Sequence, residues 1–145
     1  MRVSDVLRDK GSNVVTVKPE IDVRTLVGML AEHRVGAIVV SADGRTIAGI
    51  VSERDVVRAL AARGEAVLAE PVSTIMTSDV QTCTPETNID ELMRTMTAGR
   101  FRHLPVLVDQ ALAGIVSIGD VVKRRVDELE SEREALSRYI TSGTT

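Results

Sequence analysis

Two stretches of the chain carry the same polar residues at the same spacing: Gly49-Ile50-Val51-Ser52-Glu53-Arg54-Asp55 and Gly114-Ile115-Val116-Ser117-Ile118-Gly119-Asp120. In each, an apolar run ends at a serine, and an aspartate follows three residues later. A serine at a strand-to-helix junction caps the helix, and the unpaired N–H groups of the first turn form a weak anion site. The aspartate can accept a pair of hydrogen bonds from the vicinal hydroxyls of a ribose. One element thus offers a phosphate contact and a sugar contact. The same residues also make a plain capping box that needs no ligand. The presence of two copies favours the ligand. Nothing comparable points to catalysis. His33 and His103 are far apart, Cys83 is the only cysteine, and neither a Cys/His metal spacing nor a Ser/His/Asp set emerges. Both serines face an acid rather than a general base. The expectation is no enzyme, no catalytic residue and no metal ligand.

The motif recurs because the chain repeats itself. Thr16 falls on Thr82, Pro19 on Pro85, Leu26 on Leu92, Arg34 on Arg100 and Asp43 on Asp109, a constant offset of 66 positions. One residue is then lost, so that Gly49 falls on Gly114, Ser52 on Ser117 and Asp55 on Asp120. The openings also correspond, Val3–Leu7 with Val72–Met76. Within one copy, Val14–Val17 reads as a short edge strand ending at Pro19. Val23, Leu26, Val27 and Leu30 recur at helical spacing behind Asp22 as N-cap. Ala37–Val40 and Ile47–Val51 read as buried strands of a hairpin turning at Asp43-Gly44. A second helix opens at Asp55 and stops near Arg63, with Gly64 as C-cap. In the second copy Asn88 is the expected N-cap, with Glu91 closing a capping box. The fold class is therefore α/β, two strand-helix-strand-strand-helix units. The boundaries are 1–64 for the first, 65–71 for a linker containing Pro71, 72–126 for the second, and 127–145 for a C-terminal helix extension and tail.

Each unit is near the lower size limit for an adequate core, so the two are expected to share one. Phe101 and Tyr139 are the only aromatics, so aliphatic residues fill that core and no platform exists for stacking successive bases. A net charge of −3 gives no global attraction to nucleic acid or anionic lipid. The first residues lack the apolar stretch of a signal peptide, and no apolar run approaches membrane-spanning length. A soluble, cytoplasmic protein is the default expectation. From Val121 to Ile140 the chain runs without Gly or Pro. Val122, Val126, Leu129, Arg133, Leu136 and Ile140 alternate spacings of four and three, a coiled-coil seam with one polar interruption. That stripe suits either a helix packed on its own domain or a helix between subunits. Lys123–Arg125 is basic, but acids follow at once, as on a solvated helix face.

The repeated unit resembles CBS domains. It has Pro19-Glu20 and Pro85-Glu86 at the first helix, Arg34–Val40 and Arg100–Val106 at the middle strand, and the two Ser-x-x-Asp junctions, in order, twice. The resemblance covers nearly the whole chain and implies a Bateman module, two CBS repeats packed about a pseudo-two-fold axis. In that family the clefts between repeats commonly bind adenosyl compounds and regulate something else. Carried onto this sequence, one cleft would combine Ser117 and Asp120 with Val14, Gly36 and Ala37. The other would combine Ser52, Arg54 and Asp55 with Thr77, Val80, Arg102 and His103, and only it holds the basic residues that contact phosphates in the family. Adenine would lie between aliphatic side chains. The implied ligand is an adenine nucleotide, AMP first, with ADP, ATP or NAD(H) as alternatives. The implied partners are a second copy in a homodimer and an unidentified regulated protein. Neither a membrane nor nucleic acid is expected as a partner. The competing readings are a ligand-free interaction module and a separate regulatory chain for an enzyme such as an IMP dehydrogenase. His33 reads as a helix-surface residue and Cys83 as a buried, inert one.

Overall fold

A computed structural model describes residues 1–11 and 13–143 of the chain. Ser12, Thr144 and Thr145, which fall in the expected first unit and tail, lie outside the described residues.

Helix α1 (Val3–Lys10) opens the chain. Strand β1 (Thr16–Val17), helix α2 (Val23–His33), strands β2 (Ala37–Val40) and β3 (Gly49–Ser52), and helix α3 (Glu53–Arg63) make the first copy. Strand β1 pairs parallel with β2, and β2 antiparallel with β3. The strand expected from Val14 is thus only two residues long, since Val14 and Val15 make no ladder with β2. Asp22 caps α2 by accepting from Thr25 N at 2.8 Å, and Gly64 ends α3 at φ +74°, both as the residue types require.

The second copy contains helix α4 (Ile89–Gly99), strands β4 (His103–Val108) and β5 (Ala111–Ser117), and helix α5 (Ile118–Ser142). Its first strand has shrunk to a single parallel bridge between Cys83 and Val106. Asn88 caps α4 by accepting from Asp90 N at 2.8 Å. The capping box expected with Glu91 does not form, because the short Asn88 side chain turns to Asp90 N, one residue earlier. The lost residue of this copy is visible in its hairpin. Asp109 and Gln110 both take positive φ in a tight two-residue turn, whereas the first copy needs a longer loop. There Asp43 accepts from Arg45 N and Thr46 N at 2.8 and 2.7 Å.

The single shared core expected from chain length is not found. There are two, and each is completed by the opening segment of the other copy. Val3 and Val6 of α1 pack with Ile89, Leu92, Met96, Leu104 and Val116 of the second copy. Val72 packs with Val23, Leu26, Ile38, Val40 and Val51 of the first. The exchange is symmetric down to individual hydrogen bonds. Val3 N donates to Thr87 O and Val72 N to Ile21 O, at 2.9 and 2.8 Å. Ser4 N donates to Pro85 O as Ser73 N does to Pro19 O, and Ile89 N to Met1 O as Val23 N does to Glu70 O. Every one of these six bonds maps onto its partner under the sequence repeat, which is the two-fold relation between the copies. Residues 65–71 are accordingly not a loose tether: Glu65–Ala69 forms a 3-10 turn and Val67 is fully buried. Splitting a small core this way ties two marginal units into one cooperative body.

Candidate functional site

Both Ser-x-x-Asp junctions fold into the same device. Ser52 Oγ accepts from Asp55 N at 3.2 Å while Asp55 Oδ2 accepts from Ser52 N at 2.8 Å. Ser117 Oγ accepts from Asp120 N at 3.1 Å while Asp120 Oδ2 accepts from Ser117 N at 2.9 Å. These are reciprocal capping boxes, so the ligand-free role of the motif is satisfied in both copies. Each box uses only one carboxylate oxygen. Oδ1 of Asp55 and of Asp120 accepts no hydrogen bond among the described residues and remains available to an external donor.

The surroundings of the two boxes differ. Around Ser52 and Asp55 lies a cavity of about 450 Å³, within the range of small-molecule sites. It brings together Ser52, Arg54, Asp55, Thr77, Val80, Arg102 and His103, all the residues expected in that cleft. Gly36 and Ala37, expected in the other cleft, line this same cavity. The middle strands of the two copies start side by side, and a Cβ built on Gly36 would lie 3.3 Å from His103 Cε1. Thr77 is held at the rim by a two-way backbone bridge to Ile50, both bonds 2.9 Å. That bridge needs Gly49, where a Cβ would meet Met76 Sδ at 2.7 Å and Thr77 O at 2.8 Å.

The cavity also holds residues that the motif alone did not indicate. Arg58 lies one turn beyond Arg54 on α3, and Arg100 precedes Phe101 at the end of α4. The spacing of Arg54 and Arg58 on one helix face was the signal that could have found the former. Phe101 also stands among the cavity-lining residues, while it packs against the second core, so the lining is not all aliphatic as expected. It lies so close over Gly99 that any Cβ there would collide with it. The lining carries Arg54, Arg58, Arg100 and Arg102 against Glu53, Asp55 and Asp79, a net local excess of positive charge. Burial, then the nearby Lys10 charge, lowers the His103 pKa below the ordinary histidine value. The imidazole is therefore neutral at pH 7 and offers one N–H donor.

At the other junction the chain supplies its own cation. Lys10, the last residue of α1, donates from Nζ to Asp120 Oδ2 at 2.7 Å and to Ile115 O at 3.0 Å. Burial pushes the Asp120 carboxyl upward, but the hydrogen bonds from Lys10 and Ser117 outweigh it and hold the pKa below the ordinary aspartate value. A second cavity of about 440 Å³ lies beside this pair, lined by Asp9, Lys10, Asp120, Lys123, Arg124 and Asp127 among others. Val14, Gly36, Ala37 and Ser117 are not part of it. The expected grouping of those four with Asp120 is thus not seen in one cavity: Gly36 and Ala37 open toward His103, and α1 occupies the space beside Asp120. Cys83 is buried, and desolvation pushes its thiol up to about 11, in keeping with an inert residue. His33 is exposed on α2.

The family model for the CBS domain matches residues 3–62 and again residues 72–127. A mitochondrial CBS domain-containing protein of Arabidopsis thaliana, CBSX3, is 37% identical over 149 residues, covering 97% of this chain and 72% of its own. The crystal structure of the CBS-domain protein ATU1752 from Agrobacterium tumefaciens superposes with a TM-score of 0.83 at 48% identity, covering 86% of this chain and 99% of that one. The Pyrobaculum aerophilum CBS domain protein PAE2072, solved in complex with AMP, superposes with a TM-score of 0.73 at 28% identity, covering 83% of this chain and 89% of that one. No helix among the described residues is long and apolar enough to cross a membrane.

Proposed function

The chain belongs to the CBS domain family, and from that premise we propose that it is a non-catalytic sensor of adenine nucleotides, AMP foremost, with ADP, ATP and NAD(H) in the same chemical class. The observation that carries this reading is the cavity that four arginines and a histidine line together with the Ser52–Asp55 box. In it, Asp55 Oδ1 accepts from the ribose hydroxyls, and Arg54, Arg102 and His103 hold the phosphate. Arg suits that role because its planar fork matches phosphate oxygens. Phe101, Thr77 and Val80 enclose the base, one face of which can rest on the ring. The AMP complex of the Pyrobaculum protein supports the choice of nucleotide. The Ser117–Asp120 cleft is a weaker site, because a nucleotide there must displace Lys10. The module acts in the cytoplasm as a homodimer, and occupancy is relayed to a separate partner protein.

The test is calorimetric titration of the purified chain, first stripped of any co-purified ligand, with AMP, adenosine and GMP. AMP is expected to bind at one site per chain, adenosine at least tenfold more weakly for want of phosphate contacts, and GMP more weakly than AMP. Absence of heat and of thermal stabilisation with every adenine nucleotide overturns the proposal, since a ligand of the native state must raise its stability.

A further inference from the structure

Helix α5 is held to the body of the protein only by its first three turns. Val121 is fully buried, and Arg124 and Arg125 pair with Asp9 and Asp90 at 2.6 and 2.5 Å. Every residue from Leu129 to Gly143 is exposed. A helix of 25 residues spans roughly 37 Å, and its second half is exposed along its length. The exposed part is not polar all round. Val122, Val126, Leu129, Leu136 and Ile140 are 49%, 46%, 56%, 60% and 57% exposed. Successive residues turn by about 100°, which places this stripe roughly a quarter turn from Val121. It therefore does not face the domain, and the reading of a helix packed on its own domain fails beyond the first turns.

The pattern names its occupant. In heptad terms Val126, Arg133 and Ile140 take a positions, and Val122, Leu129 and Leu136 take d positions. β-Branched residues at a with leucine at d favour two parallel strands, and a single polar residue at a fixes their register. The flanks agree. In a parallel pair Arg133, at a, lies beside Glu132, at g, of the second copy. The body of each protomer, anchored on the Val121 and Arg125 side, stays clear of the seam. We infer that residues 122–140 form a parallel two-stranded coiled coil with the same helix of a second copy of this chain. This inference deepens the homodimer named above and needs no nucleotide.

Sedimentation velocity on the full chain tests it with three proteins: wild type, Leu129→Glu/Leu136→Glu, and Leu136→Cys under oxidising conditions. Wild type is expected to sediment as a dimer at micromolar concentration, and the double variant as a monomer with an unchanged far-UV spectrum. Leu136→Cys should cross-link to a covalent dimer, since d positions of parallel partners meet and Cys83 is buried. A monomeric wild type, or a dimer that survives the double substitution, overturns the interface. A dimeric Leu136→Cys protein that does not cross-link overturns the parallel arrangement. AMP titration of the monomeric variant separates the two readings: retained binding with lost dimerisation leaves the sensor assignment intact.

Discussion

The two Ser-x-x-Asp junctions have equivalent capping boxes and unequal surroundings. Both close the same capping box, and both leave one carboxylate oxygen unused. What separates them is the fate of the segment that opens each repeat. In the second copy that segment ends its short helical turn by Met76, and Thr77 bridges Ile50, leaving the space beside Asp55 open. In the first copy the corresponding segment continues as α1 to Lys10, whose ammonium takes Ile115 O and Asp120. A duplicated motif therefore does not guarantee a duplicated site, because the neighbour that covers the motif is free to diverge.

The most direct way to break this comparison is to remove charge from each junction in turn. Arg102→Ala should weaken AMP binding by about 1.5–3 kcal/mol, roughly ten- to hundredfold, the value of a hydrogen bond to a charged group. Asp120→Ala should leave that affinity within twofold. Equal losses in calorimetric titrations of the two variants would show that the junctions contribute alike.

A comparable effect is expected on stability at the paired glycines. Gly49→Ala drives a Cβ against the carbonyl of Thr77, which cannot move without breaking its bridge to Ile50, and should cost about 1–3 kcal/mol. Gly114→Ala meets only the Leu7 side-chain tip, at 3.1 Å. Relief of glycine's backbone entropy offsets that contact, so its effect should stay within about 0.5 kcal/mol. Urea unfolding of both variants checks the contrast. Matching midpoints would mean that the Thr77 bridge is not what shapes the open cleft.

The smallest effect sharpens the comparison at Lys10. Its pairing with Asp120 is partly solvent-screened, with the side chains 33% and 26% exposed, so Lys10→Met should cost about 1 kcal/mol or less. The depressed Asp120 pKa sets the pH window. The carboxyl titrates lower in the folded than in the unfolded state, so its stabilisation is present above the ordinary aspartate value near 3.9 and fades as pH falls through the folded value. The gap in melting temperature between wild type and Lys10→Met should therefore be full at pH 7 and close below about pH 3.9. The variant should also admit a second AMP per chain. A gap that persists in acid would show that Lys10 acts through something other than Asp120.

Much of this was legible in the residues. The 66-position offset exposed the repeat, and apolar spacing located α2, α3 and both hairpins. The seven residues expected around Ser52 and Asp55 meet in one cavity: Ser52, Arg54, Asp55, Arg102 and His103 sit at or beside strand-helix or helix-strand junctions, and Thr77 is brought there by its bridge to Ile50. Such junctions are marked by local chemistry. The shortened first strands and the missing Glu91 box were not legible, since each depends on which of several nearby backbone partners wins by fractions of an ångström. Phe101 was overlooked because it lies between the end of α4 and the start of β4. Its place in the lining follows the left-handed turn at Arg100, with φ +57°.

What the sequence determined by itself was governed by neighbours within a few residues: most of the caps, helices α2 to α5, the hairpins, and the apolar stripe along α5. The repeat added the two-fold relation, since equal sequences seek equal contacts. What only the tertiary structure decided was contact between distant segments. It showed two cores in place of one, each sealed by the other copy's opening segment. It moved Gly36 and Ala37 into the cavity of the opposite junction. It put Lys10, 110 residues from Asp120, on the carboxylate oxygen that the capping box also uses. A lysine at the end of a short helix has no local signature of such a role; its reach is set by where α1 docks, and that is set by Val3 and Val6 finding the far core.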